Sequence, residues 1–296
     1  MTMHARAWLA WVGLTLSPSA MAACPPEGTD VSSLRLMKEQ TFIVSDDVRA
    51  ALVATLPACL SDPDPALRDG VAYEALSAWM RAGKLDVAQR RALRDRLYAT
   101  LDEEGGNGLG PPFAALVLSE VARTDRMSSW MSAEERAVMV ERAAAYLSSV
   151  RDYRGFDAKE GWRHGVAHGA DWSLQLVLNE RVDRAQVETL LRAVAAQVVP
   201  ANAHAYVFGE PGRLARPVLY AAKRGVLDEA AWTRWFDALP PRLGDANQAY
   251  ADSAWLARRH DLMAFLMSVH LDADQSDDAN IRALKPIVVQ ALKAVP

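Results

Sequence analysis

The sequence predicts an all-α protein, a HEAT- or armadillo-like right-handed solenoid of helical hairpins. Apolar residues recur with helical periodicity from Asp30 to the end of the chain. No alternating β-branched stretch is long enough to read as a strand. About a dozen helices separated by short polar connectors form hairpins of roughly forty residues, the spacing of helical repeat arrays. A compact bundle or an α/α toroid fits the same periodicity, and no linker divides the chain into two domains.

Taken in order, a short helix is expected over 32–40. Ser45 follows as an N-cap, with Asp46 and Asp47 in the first turn of "VRAALVATLPACL". "DPDPALRDGVAYEALSAWMRAG" opens on Asp and Pro and closes on Gly83, the asymmetry of a single helix. "DVAQRRALRDRLYATLDEE" leads into the breaker cluster "GGNGLGPP", whose Pro111 and Pro112 suit the start of the next helix. Ser132 and Glu135 form a capping box ahead of "RAVMVERAAAYLSSV". Helices are then read in "DRAQVETLLRAVAAQVV", "LARPVLYAAKRGVL", "DEAAWTRWFDAL" and "WLARRHDLMAFLMSVHL", with Pro286 starting or kinking the last, "NIRALKPIVVQALKAV".

The ends of this framework bear on address. Arg6, the apolar run "AWLAWVGLTL" and the small residues up to Ala23 read as a signal peptide over 1–23, leaving 24–296 as a single helical-repeat domain. The address implied is periplasmic or secreted. Two cysteines in an exported chain are most simply a disulfide, Cys24 to Cys59. The alternative treats Met21-Ala22-Ala23-Cys24 as a lipoprotein box with Cys24 acylated. The leader holds one Arg and no acid, so the remainder carries 32 basic against 37 acidic residues, a net of −5. No Lys/Arg run suggests nucleic acid as a partner, and no later segment is apolar enough to span a membrane.

The chemistry concentrates in "RGFDAKEGWRHGVAHGAD", Arg154 to Asp171. On a helix His164, His168, Asp171 and Gln175 share one polar stripe, away from the arc of Val166, Ala170, Leu174 and Val177. Gly165 and Gly169 occupy a third face, where each costs about 1 kcal/mol against Ala and so implies the close approach of another backbone or of a ligand. Three readings stay open. His164, His168 and Asp171 are a workable ligand set for a divalent metal such as zinc, although a zincin would need Glu directly after the first His. The same residues suit metal-free catalysis, one His as general acid or base with Asp171 orienting it. They equally suit polar bonding across a packed helix face.

Around the stripe, Arg154 and Trp162 are candidate ligand contacts, as are Glu210 and Arg213 in the loop "FGEPGR", where the bland alternative is a solvent-facing pair. His204, His260 and His270 read as isolated. Trp232 and Trp235, three apart, read as core, with exposure as the point to check.

The stretch resembles a bacterial family catalogued as domain of unknown function 2785, in which an Arg-Gly turn precedes Gly-Trp, two His four apart and Ala-Asp. "LRDGVAYEALSAWMRAGKL", "GEPGRLARPVLY" and "LMAFLMSVHL" are similar to its flanking segments. The resemblance implies a helical-repeat fold and a site at Arg154, Gly161, Trp162, His164, His168 and Asp171, with Glu210 and Arg213. The export-type leader departs from the cytoplasmic look of the family. Two functions follow as expectations: a binding or scaffold protein of the cell envelope that takes a protein or peptide on a concave surface, or a histidine-dependent or metal-assisted hydrolase.

Overall fold

The structure is a computed structural model that describes residues 24–103, 106–201 and 203–296, so the expected signal peptide lies outside the described residues. Its helices are α1 (Val31–Glu39), α2 (Asp46–Thr55), α3 (Pro65–Leu67), α4 (Glu74–Arg81), α5 (Val87–Leu101), α6 (Gly110–Met127) and α7 (Ala133–Ser149). A two-stranded hairpin, β1 (Phe156–Asp157) and β2 (Gly161–Trp162), precedes α8 (Gly165–Val177). Then come α9 (Arg184–Val198), α10 (Glu210–Lys223), α11 (Glu229–Asp237), α12 (Ser253–Gln275), α13 (Ala279–Arg282) and α14 (Leu284–Lys293). The fold is all-α apart from that hairpin.

Local chemistry explains most boundaries. Ser45 Oγ accepts from Val48 N, and Ser132 with Glu135 closes a reciprocal capping box that satisfies two orphan donors. Pro111 and Pro112 lie in the first turn of α6, where a missing N–H costs nothing. The last predicted helix is broken at Ala283, and Pro286 falls in the first turn of α14.

One helix departs from its sequence pattern. Residues 65–81 run as α3, a π-helical turn over Arg68–Tyr73, and α4. A π turn inserts one extra residue into the helical path and rotates the side chains that follow. Here the turn carries Arg68 into the interior, fully buried, and brings Asp69 and Tyr73 to the edge of a cavity.

Packing follows a simple succession. α4 packs on α6, α6 on α8, α8 on α10, α10 on α12 and α12 on α14, while α7 lies against α9. The buried side chains form one continuous apolar cluster, from Leu34 on α1 to Ala291 on α14. Trp232 is buried in it, whereas Trp235 is half-buried at its edge, packed edge-on to Phe236 and against Phe265. Gly165 and Gly169 answer the close approach expected of them: a Cβ on Gly169 would stand 3.0 Å from Leu147 Cδ1 and 3.1 Å from Tyr146 Cε1. The neighbour is a pair of α7 side chains, neither backbone nor ligand.

Cys24 and Cys59 form a disulfide, with Cα atoms 5.0 Å apart, so the Cys24 sulfur is unavailable for the thioether of a lipid anchor. Among the described residues no helix is long and apolar enough to cross a membrane. The disulfide closes a loop across a sequence separation of 35 and ties the N-terminal segment to a 3₁₀ turn, Leu56–Ser61. Cys59→Ser is expected to lower the unfolding free energy by about 2–4 kcal/mol in urea titration, through the entropy returned to the unfolded chain. Equal stability of the variant and the oxidised protein would contradict this.

Candidate functional site

The pocket is built from the reversal that precedes α8. Asp157 accepts backbone N–H bonds from Lys159 (2.8 Å) and Glu160 (2.9 Å), which shapes the turn between β1 and β2. The hairpin pairs Phe156 with Trp162 and Asp157 with Gly161. His164 is therefore the N-cap of α8 and not its first turn, held at φ 53°, ψ 36° in the left-handed region. That conformation costs a non-glycine residue of order 1–3 kcal/mol and persists only where neighbours over-determine it. They do: His164 N donates to Arg154 O, its carbonyl accepts from His168 N, and its ring stacks on Trp162 at 4.4 Å.

Both imidazoles meet backbone carbonyls, and a carbonyl only accepts, so each contact assigns a proton. His164 Nε2 lies 3.1 Å from Phe208 O and therefore carries the hydrogen, with the Glu210 carboxylate at 3.6 Å. His168 Nδ1 lies 3.1 Å from Pro112 O, so its hydrogen is on Nδ1 and Nε2 is left as an acceptor. Desolvation lowers the pKa of both rings. It outweighs Glu210 at His164, and it takes His168, with the neighbouring His164 acting in the same direction, to about 3.

Asp171 does not orient either ring. Its carboxylate is held by the Arg213 guanidinium across the α8/α10 seam; burial raises its pKa and Arg213 opposes the rise. Gln175 accepts from Arg126 Nε on α6. The polar stripe on α8 thus reaches three different partners. The rings of His164 and His168 cross at 76° with centroids 5.9 Å apart. Among the described residues no group of three His, Cys, Asp or Glu side chains is placed to hold a metal ion. The expected His164, His168, Asp171 ligand set is not assembled, because Asp171 is drawn to Arg213.

Glu210 and Arg213 are not a solvent-facing loop pair. Gly209, at φ 90°, caps α10, Pro211 fits its first turn, and both residues lie on the helix. Glu210 is 2% exposed and accepts from Phe208 N at 2.9 Å. Arg154 is displaced from the histidines. It pairs with Asp152 and lines a neighbouring cleft of about 510 Å³ with Lys159, Arg163 and His204.

The histidines line a separate cavity of about 490 Å³. α6 contributes Phe113 and Leu116, the π turn and α4 contribute Asp69, Tyr73 and Glu74, the hairpin contributes Trp162, and the loop between α9 and α10 contributes Phe208. Phe208 lies so close over Gly155 that a Cβ there would fall 1.9 Å from its ring, so only glycine allows this wall. Sequence reasoning missed Asp69, Tyr73, Glu74, Phe113 and Phe208. Their segments matched the family resemblance or were quoted for another residue, but periodicity alone reads them as ordinary helix and loop positions. A larger groove of about 720 Å³ between α5 and α7 holds none of the histidines.

Behind the Phe208 loop stands Asp261 of α12, fully buried. Its Oδ1 accepts from Tyr206 N at 2.7 Å, and its Oδ2 has no partner among the described residues. Desolvation raises this carboxyl from 3.8 to about 7, against the Tyr206 bond. A raised folded-state pKa gives stability that is complete below about 3.8 and lost as pH rises through about 7. Asp261→Asn is expected to flatten that dependence and to be more stable than the parent at about pH 8, by up to about 4 kcal/mol at roughly 1.4 kcal/mol per unit. Parallel stability–pH curves would contradict it. For His168, nitrogen NMR is expected to report a neutral ring with its proton on Nδ1 down to about pH 5, as a pKa near 3 requires. An imidazolium signal at that pH would refute the assignment.

No curated protein and no solved structure matches the chain. The family model described as "Protein of unknown function (DUF2785)" matches residues 97–271, from late α5 to within α12. That span takes in the hairpin, both histidines, Glu210, Arg213 and Asp261, but not the 65–81 helix that closes the cavity's remaining wall. With more than half of its length matched, the chain belongs to the DUF2785 family.

Proposed function

We propose that this chain is an exported, small-molecule-binding protein of the cell envelope, with the histidine cavity as its binding site. One observation carries the reading. His168 is a buried imidazole whose Nδ1–H is committed to Pro112 O, leaving Nε2 as a permanent acceptor on a residue that lines a ligand-sized space. Cavities of about 300–1,000 Å³ with aromatic walls and a few converging polar groups are the usual form of small-molecule sites. A volume of about 490 Å³ suits such a ligand better than a peptide or protein laid along a concave surface.

The hydrolase reading fares worse on proton chemistry. A general base is effective when its pKa lies near the working pH, and His168 at about 3 is too weak a base and never an acid at neutrality. Burial lowers the pKa of His164 as well, and its Nε2–H is committed to Phe208 O. For the architecture, we read residues 24–296 as one right-handed HEAT- or armadillo-like solenoid domain. The succession of α4, α6, α8, α10 and α12 supports this, and four of these helices contribute residues to the cavity or its edge. A periplasmic or secreted address follows from the leader-like N-terminus and fits the disulfide.

The test uses Leu116→Cys, which places a single free thiol on the cavity wall of a chain whose own cysteines are paired. The introduced thiol is expected to react with a small maleimide under native conditions. Compounds from a mixed metabolite panel that raise the parent's Tm are expected to lose that effect once this thiol is blocked. An inert thiol, or stabilisation that survives the block, overturns the reading.

A further inference from the structure

We infer that the cavity takes a neutral, hydroxyl-bearing ring, a monosaccharide or short saccharide, stacked against Trp162 and Phe208. This rests on the reading of the cavity as a binding site and narrows its ligand to one chemical class.

Charge bears on the ligand first. Asp69 is matched by Arg68 at 2.7 Å, Glu74 by Lys38 at 3.0 Å, and Arg213 by Asp171. Among the described residues that line the cavity, no cation or anion is left over to recognise an ionic ligand. An ion brought in would lose its hydration without a countercharge.

Hydrogen bonding narrows the class further. Paired carboxylates at Asp69 and Glu74 keep lone pairs open, and His168 Nε2 offers another on the α8 side. Such a lining asks for donors. A ligand that carries several O–H groups and no charge supplies them, and Arg213 can donate to one of its oxygens.

The rim supplies the remaining constraint. Trp162 is 38% exposed and Phe208 36%, their rings meet edge to face at 6.0 Å, and half-exposed Phe156 tilts against Trp162 at 5.1 Å. One face of Trp162 is taken by the His164 ring stacked on it at 4.4 Å, and the part of the Trp162–Phe208 pair left exposed beside the polar cavity presents an apolar surface to a ligand that has one apolar face and a polar edge. The C–H face and hydroxyl edge of a sugar ring have that form. A purely apolar ligand would leave His168 Nε2 and the open lone pairs of both paired carboxylates desolvated and unmet.

The test is calorimetric titration of the purified, disulfide-bonded protein with a charge-matched set: glucose, N-acetylglucosamine and cellobiose against glucosamine, glucuronate and choline. At least one neutral saccharide is expected to bind saturably, with its charged counterpart at least tenfold weaker. Trp162→Ala and Glu74→Gln, both at partly exposed positions that leave the core intact, are each expected to weaken binding at least tenfold. Preference for glucosamine, glucuronate or choline overturns the sugar assignment. So does saccharide binding that both variants leave unchanged, or no binding by any neutral saccharide. In each of these cases a reactive, blockable thiol in the Leu116→Cys variant leaves the small-molecule reading standing, whereas an inert thiol there removes both.

Discussion

The site depends on one buried guanidinium. Arg68 is 0% exposed, and its donors are distributed over three parts of the chain: Nη1 to Asp62 O, Nη2 to Glu160 O and Trp162 O, and Nε to Asp69. Its plane lies 4.6 Å over the Phe113 ring. A buried charge is tolerable only when its donors are met, and here two of the four acceptors are backbone carbonyls of the hairpin. The same bonds that satisfy Arg68 therefore fasten the hairpin to the 65–81 helix, position Trp162 and direct Asp69 toward the cavity. A lysine would keep the charge but not the planar fork that reaches these acceptors.

Desolvation is the common cause of the site's electrostatics. It lowers the pKa of His164 and His168, raises that of Asp69 despite Arg68, and lifts Asp261 to about 7 behind the Phe208 loop. The loop itself is fastened by two buried carboxylates, Asp261 on Tyr206 N and Glu210 on Phe208 N, and by His164 on the Phe208 carbonyl. Phe208 is thus a wall shared by two cavities and set by three backbone bonds. Polar groups whose spacing suggests chemistry are here largely committed to holding backbone.

The capping box at Ser132 and the Pro111-Pro112 start depend on short-range rules and appear as expected, as do the burial of Trp232 and the Cys24–Cys59 bond, the one pairing that two cysteines allow. The stripe on α8 was also legible in the sequence, because helical spacing projects His168, Asp171 and Gln175 onto one side whatever lies opposite. What lies opposite was not legible. Asp171 meets Arg213 from 42 residues away, and His168 meets Pro112 from 56 residues away, separations at which pattern and periodicity carry no information.

The sequence by itself determined the helical class, the helix ends and the neighbourhood of the site, since caps, breakers and periodicity act within a turn or two of chain, and its two cysteines allowed only one pairing. Only the tertiary structure decided what the histidines are for. Carbonyls from distant loops assigned their tautomers, burial lowered their pKa, and Arg213 took the aspartate that sequence spacing had offered to a metal. The π turn at Arg68–Tyr73 was decided at the same level, where a buried arginine finds its acceptors on a hairpin more than ninety residues away.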